Sequence, residues 1–123
     1  MNPNPSDAFI KEAIARGSAE GLPALSGPAR MVFLIAEAEV LCDMEGIDSF
    51  VDRYSGSGVS ELASAYSSIG ADGIASVLRE IANSMLEVPD VLLSRANDQI
   101  TSRLGYTHEH IVRAVRKAKE SHQ

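Results

Sequence analysis

The chain reads as all-α, a single compact domain of about six or seven short helices spanning residues 1–123, and three observations predict this. Apolar residues recur at helical spacing, as at Ile47, Phe50, Val51 and Tyr54, which fall at i, i+3, i+4 and i+7. Glycine and proline punctuate the chain at helix-length intervals. Alternating strand patterns of any length are absent. With 123 residues, 45% of them hydrophobic, the chain can bury one core without a disulfide or a metal.

The elements follow in order. Residues 1–5 read as a flexible lead. Ser6 suits the N-cap of a helix ending near Arg16, with Gly17 as its stop. An irregular linker follows, and Pro28 suits the first turn of a second helix running to about Met44. In it Met31, Val32, Phe33, Leu34 and Ile35 are apolar all round, which predicts cover on several sides and a central place in the fold. A third element starts at Gly46, and Gly56 and Gly58 end it. A fourth runs from about Val59 to Ile69, with Leu62, Ala65, Tyr66 and Ile69 inward, until Gly70 breaks it. The next buries Ile74, Val77, Leu78, Ile81 and Met85 and stops at Pro89, which cannot donate the helical hydrogen bond. From Pro89 and Asp90 a helix turns Leu92, Leu93, Ala96, Ile100 and Leu104 inward and ends at Gly105. Thr107 caps a basic C-terminal helix, 107–120, with Ile111, Val115 and Ala118 inward.

Charge is spread unevenly. The net value is −6, yet residues 1–94 hold fourteen acids against five bases, and residues 95–123 hold six bases against three acids. The densest stretch is 37–53, where Glu37, Glu39, Asp43, Glu45, Asp48 and Asp52 meet only Arg53. Such a field attracts basic proteins and repels nucleic acid, most strongly at low salt. The candidate partner-binding residues are therefore Asp43, Glu45, Asp48 and Asp52. Spaced i, i+3 and i+7, Glu45, Asp48 and Asp52 would line one helix face at about 5–6 Å between neighbours, with Asp43 at the helix junction. A rigid row of carboxylates suits a groove built for phosphates. The plainer reading is a solvated helix face.

An alternative basic patch, Arg113, Arg116, Lys117 and Lys119, follows a Leu-Gly turn in an arrangement faintly like a helix-turn-helix. A basic helix grips phosphates, but the acidic body disfavours direct nucleic-acid binding. Basic residues late in a helix also simply suit its macrodipole. The same helix could instead meet the acidic helix of a second copy, which keeps a homodimer open.

Several chemistries find no support. The lone Cys42 cannot form an intramolecular disulfide, favours a cytoplasmic setting and is expected to be buried and inert. The N-terminus lacks the charged and apolar regions of a signal peptide, and no run approaches the roughly 20 apolar residues a membrane span needs. His108 and His110, two apart on a helix, cannot both face one metal. The glycines of residues 55–58 lack the Lys-Ser/Thr and the preceding strand of a phosphate loop. Glu37 and Glu39 point to nearly opposite sides of an apolar helix, so at least one should be partly buried and need donors. Glu39 is expected to tie down the turn at Gly46. No catalytic set, cofactor site or metal site can be nominated, and the reading leans away from an enzyme.

At EGIDSFVDRYSG, followed by ELASAYSSIGADGIASVL, the chain resembles the bacterial DNA-mimic-protein family. That pattern has a helix ending in a glutamate with an apolar neighbour, then G-G-F-x-Q-F-F-x-N-S-S-G, an alanine-leucine helix and I-G-A. Glu39 and Val40 stand for the first pair; Gly46, Ile47, Phe50 and Gly56 stand for the second glycine, two aromatics and the closing glycine. Ile69, Gly70 and Ala71 match I-G-A. Glu45 replaces the first glycine, Ser49 the glutamine, Val51 an aromatic and Arg53 the asparagine, so the chain resembles a divergent member over about residues 30–86. The resemblance implies an all-helical, often dimeric domain and, for one characterised member, an acidic surface that imitates DNA to a transcription regulator.

The functional expectation is an acidic protein–protein interaction module for a basic partner. Its narrower form is a DNA mimic occupying the nucleic-acid-binding surface of a regulator. The alternatives are an immunity- or antitoxin-like protein that neutralises its partner by docking, and a weak nucleic-acid binder acting through the basic C-terminal helix.

Overall fold

The computed structural model describes residues 5–121, with side chains through Lys119. Within them lie α1 (Pro5–Glu20), a 3-10 turn at Leu22–Ala24, α2 (Gly27–Met44), α3 (Ile47–Ser68), α4 (Asp72–Ala82), α5 (Asp90–Thr101) and α6 (His108–Ser121). No strand occurs among the described residues, as the sequence predicts. None of their helices is long and apolar enough to cross a membrane.

Helix α2 is the axis. Val32, Phe33, Leu34, Ile35, Ala38, Leu41 and Cys42 are all buried, because α1, α3, α5 and α6 each pack against it. The main core joins α2 to α3, α4 and α5 through Ile47, Phe50, Leu62, Tyr66, Ile74, Leu78, Ile81 and Ile100. A smaller core gathers Ile10 and Ala13 of α1, Val32 of α2 and Val112 and Val115 of α6. At about 1.5 Å per residue α2 is long enough to serve both, the small core near its start and the main core along the rest.

Several local expectations need correction. Helix α1 begins at Pro5, so Ser6 lies inside the first turn and is buried; residues 1–4 of the expected lead fall outside the described residues. Gly17 does not stop α1. It is buried in the helix because a Cβ there would lie 2.3 Å from the Phe33 ring, and the helix runs on to Glu20. Helix α4 ends at Ala82 rather than at Pro89, since the Asn83 and Ser84 amides close a tight turn on Arg79 and Ile81. Met85 therefore lies beyond the helix. Leu104 faces solvent at 48% exposure, and Val112, absent from the predicted stripe, is buried in α6 beside Val115.

The break expected at Gly56 and Gly58 is a kink. Helix α3 bends at Ser55, which takes φ 62° and ψ −172°, and both glycines lie in the helix beyond it. Gly58 is needed there by contact, since a Cβ would fall 2.3 Å from the Tyr54 Cβ.

Candidate functional site

The acidic residues Asp43, Glu45, Asp48 and Asp52 lie at the far end of α2, where it turns into α3, and along the start of α3. The Glu45 and Gly46 amides both donate to the Leu41 carbonyl, at 2.8 and 2.7 Å, and close the helix. Gly46 takes φ +119°, a conformation that side chains disfavour, and a Cβ there would lie 2.8 Å from an Asp48 carboxylate oxygen. With no side chain at Gly46 to cap α3, the cap comes from another helix. The Ile47 amide donates to Oδ1 of Asn97 in α5 at 3.0 Å, holding the start of α3 against α5.

A shallow groove of about 250 Å³ runs along this contact, lined by Gly46, Ile47, Asp48, Leu93, Ser94, Asn97 and Asp98. Two carboxylates from distant parts of the chain thus meet on one surface. Sequence alone singles out neither Asp98 nor Asn97. Their polar spacing on α5 is visible in the sequence, but nothing there says that this face meets the beginning of α3.

The six acids of residues 37–53 divide into two groups. Glu37 and Glu39 leave α2 on different sides, as the helical angle requires, and both are partly buried with side chains 18% and 24% exposed. Each is held by a tyrosine and an arginine. Glu37 accepts from the Tyr54 hydroxyl and lies 3.5 Å from Arg53. Glu39 accepts from the Tyr106 hydroxyl and lies 3.2 Å from Arg103 Nε. Glu39 therefore anchors the α5–α6 connection rather than the Gly46 turn. Asp43 is gripped by both ends of the Arg103 guanidinium, at 3.1 and 2.9 Å, which holds its carboxyl below the usual range.

Beyond the end of α2 the pattern changes. Glu45, Asp48 and Asp52 are exposed, and among the described residues none has a cation within ion-pairing distance; the same is true of Asp98. Glu45 occupies the turn and not α3, so only Asp48 and Asp52, four apart, share a helix face.

Burial governs the nearby titrating groups. It pushes the Cys42 thiol up to about 12, helped by Asp43, Asp48 and Glu39 and opposed by Arg103. Burial and then the Glu37 carboxylate push the Tyr54 hydroxyl up to about 12. Tyr66 packs its ring 5.3 Å from that of Tyr106, and its fully buried hydroxyl makes no hydrogen bond of ordinary geometry.

The basic patch lies at the other end of the axis. Arg113, Arg116, Lys117 and Lys119 are exposed on α6. Arg113 lies 3.8 Å from Glu109, and Lys119 Nζ sits 4.2 Å above the Phe9 ring. The two histidines have separate tasks: His108 Nε2 meets Asp7 at 2.8 Å, and His110 Nδ1 accepts from the Thr107 amide at 2.9 Å. No group of three metal-ligating side chains occurs among the described residues.

The pattern of DMP19-like proteins matches residues 23–114, from the 3-10 turn through α2, α3, α4 and α5 into α6. The chain belongs to the DMP19-like protein family. No curated protein and no solved structure matches it. The DMP19-like match contains the main core, whereas α1 and the end of α6, which build much of the small core, lie outside it. The family-like motifs do structural work here. Ile47 and Phe50 are buried, Gly46 makes the α2–α3 turn, and Ile69, Gly70 and Ala71 make the α3–α4 turn, with the Ala71 amide bonded to the Tyr66 carbonyl at 2.9 Å.

Proposed function

We propose that this DMP19-like protein is an acidic protein-binding module whose partner face comprises Glu45, Asp48 and Asp52 with Asp98 beside them. In its narrower form the face takes the place of nucleic acid on a basic, DNA-binding regulator. The observation that carries this reading is the division of carboxylates. Glu37, Glu39 and Asp43 are paired with arginines of the same molecule, while these four are exposed and, among the described residues, have no cation within ion-pairing distance. Unpaired like charges on a helix repel one another and cost a little stability. A surface that keeps them is poised for cations from outside.

The chemistry of the face matches a phosphate-binding partner. Carboxylates fixed on a helix and its adjoining turn present acceptors only, as phosphates do, and arginine forks recognise both groups. Binding built this way weakens steeply as salt rises. Membership of the family agrees with this reading, since the resemblance brings with it one acidic member that imitates DNA.

The test is affinity capture from bacterial lysate at low salt, with release by duplex DNA at constant ionic strength. A Glu45→Gln/Asp48→Asn/Asp52→Asn variant is run alongside. The expected result is a DNA-binding protein that wild type retains, that duplex DNA displaces and that the variant fails to hold. Equal retention by the variant overturns the reading. A captured protein that depends on the three acids but ignores duplex DNA points instead to neutralisation by docking, the immunity-like alternative.

A further inference from the structure

The connection between α5 and α6 carries one side chain whose contacts exceed what a turn needs. Arg103 takes φ +53°, in the left-handed region, and directs its guanidinium back across the end of α2. Nη1 and Nη2 donate to the two oxygens of Asp43, and Nε lies 3.2 Å from Glu39. Nη1 also approaches the Ile100 and Thr101 carbonyls at 3.0 and 3.3 Å. The Tyr106 hydroxyl closes on Glu39 from the same connection. Arg103 thus places a positive charge among the acids: Asp43, Asp48 and Glu39 all act on the buried Cys42 thiol in one direction, and Arg103 acts on it in the other.

We propose that Arg103 is an internal counter-ion that sets the edge of the acidic face. By occupying Asp43 and Glu39 it confines an incoming cation to Glu45, Asp48, Asp52 and Asp98. The inference rests on the partner-face reading above and adds how that face is bounded. An external arginine reaching Asp43 must displace a fork tethered to the same molecule, and intramolecular competition of that kind favours the resident side chain. The planar fork matters, because a lysine at this position cannot hold both carboxylate oxygens in the same way.

A double-mutant cycle tests this, with a fluorescein-labelled octa-arginine peptide as probe and fluorescence anisotropy at low salt as readout. Arg103→Gln is expected to tighten binding about 2- to 5-fold, the scale of one added exposed ion pair. Arg113→Gln removes the same charge at the far end of the molecule and should change binding by less than Arg103→Gln does. The decisive term is the coupling. Asp43→Asn should weaken binding more in the Arg103→Gln background than in wild type, because only there does the probe reach Asp43.

Independent, multiplicative effects of the two substitutions overturn the inference, as does an Arg103→Gln gain no larger than that of Arg113→Gln. If Arg103→Gln fails to fold by circular dichroism, Arg103→Met takes its place. It removes the charge but keeps a flexible apolar stem, and coupling to Asp43→Asn should still appear; its absence overturns the inference. The Glu45→Gln/Asp48→Asn/Asp52→Asn variant separates this failure from that of the underlying reading. If it binds the peptide as wild type does, the partner face itself is wrong, whatever Arg103 does.

Discussion

Glu37, Glu39 and Asp43 occupy the same acidic stretch as Glu45, Asp48 and Asp52, yet the two groups meet different surroundings. The first three sit on α2, where the α3 kink and the α5–α6 connection bring tyrosines and arginines against them. The second three lie past the end of α2, and among the described residues none of them has a cation within ion-pairing distance. Charge counted along a sequence therefore overstates the charge offered to a partner. The clamped group holds elements together, and the solvent-facing group is the one the proposed partner face is built from.

The largest expected effect breaks the clamped side. Glu39→Ala leaves the Tyr106 hydroxyl and part of Arg103 without their acceptor in a half-buried setting. Unfolding free energy should fall by about 2–3 kcal/mol, seen as a lower urea midpoint at unchanged slope. Removing single hydroxyls is milder: Tyr106→Phe and Tyr54→Phe should each cost about 1 kcal/mol in the same assay.

The pH dependence sharpens the contrast further. Arg103 holds the Asp43 carboxyl below its ordinary value, so that ion pair contributes above about pH 4 and is lost as pH falls through the lowered value. The Arg30–Glu61 pair behaves likewise, its fork at 2.6 and 2.7 Å lowering Glu61. The tyrosines act at the other limit. Tyr54, raised to about 12, favours the folded state while neutral, and that contribution is lost as pH rises from about 10 toward 12. Denaturation followed across pH should show both limbs, with Tyr54→Phe flattening the alkaline one.

A smaller effect is expected at the kink that joins the acid-bearing start of α3 to its core segment. Ser55 holds a backbone conformation suited to glycine. Ser55→Gly should raise stability by about 0.5–1 kcal/mol, read as a higher melting temperature. The smallest effect belongs to the solvent-facing group. Neutralising Glu45, Asp48 and Asp52 together should leave the melting temperature near that of wild type, since no ion pair is lost and the repulsion relieved offsets the loss of Asp48 from the first turn of α3. A large fall would place these residues among the structural acids.

The sequence disclosed what depends on neighbours along the chain. The α2 core run, the Ile47–Tyr54 stripe, the turns at Gly46 and Gly70 and the family-like motifs all follow from local spacing. The errors fall where distant elements decide. Gly17 reads as a helix stop until the Phe33 ring is seen against it. Glu39 reads as a brace for the Gly46 turn because its true partners, Arg103 and Tyr106, lie more than sixty residues away. The pairing of Asp43 with Arg103, and the place of Asp98 beside the start of α3, likewise depend on tertiary packing and leave no trace in local spacing. The fold was legible from periodicity, whereas the division of the acids into two groups needed tertiary pairing.

The proposed partner face is the start of α3 with the adjoining face of α5. Amide chemical-shift mapping with the octa-arginine peptide at low salt tests it most directly. Perturbations are expected to concentrate at residues 45–54 and 93–98 and to be absent in the Glu45→Gln/Asp48→Asn/Asp52→Asn variant. Perturbations spread evenly over every exposed acid, or unchanged in that variant, would contradict it.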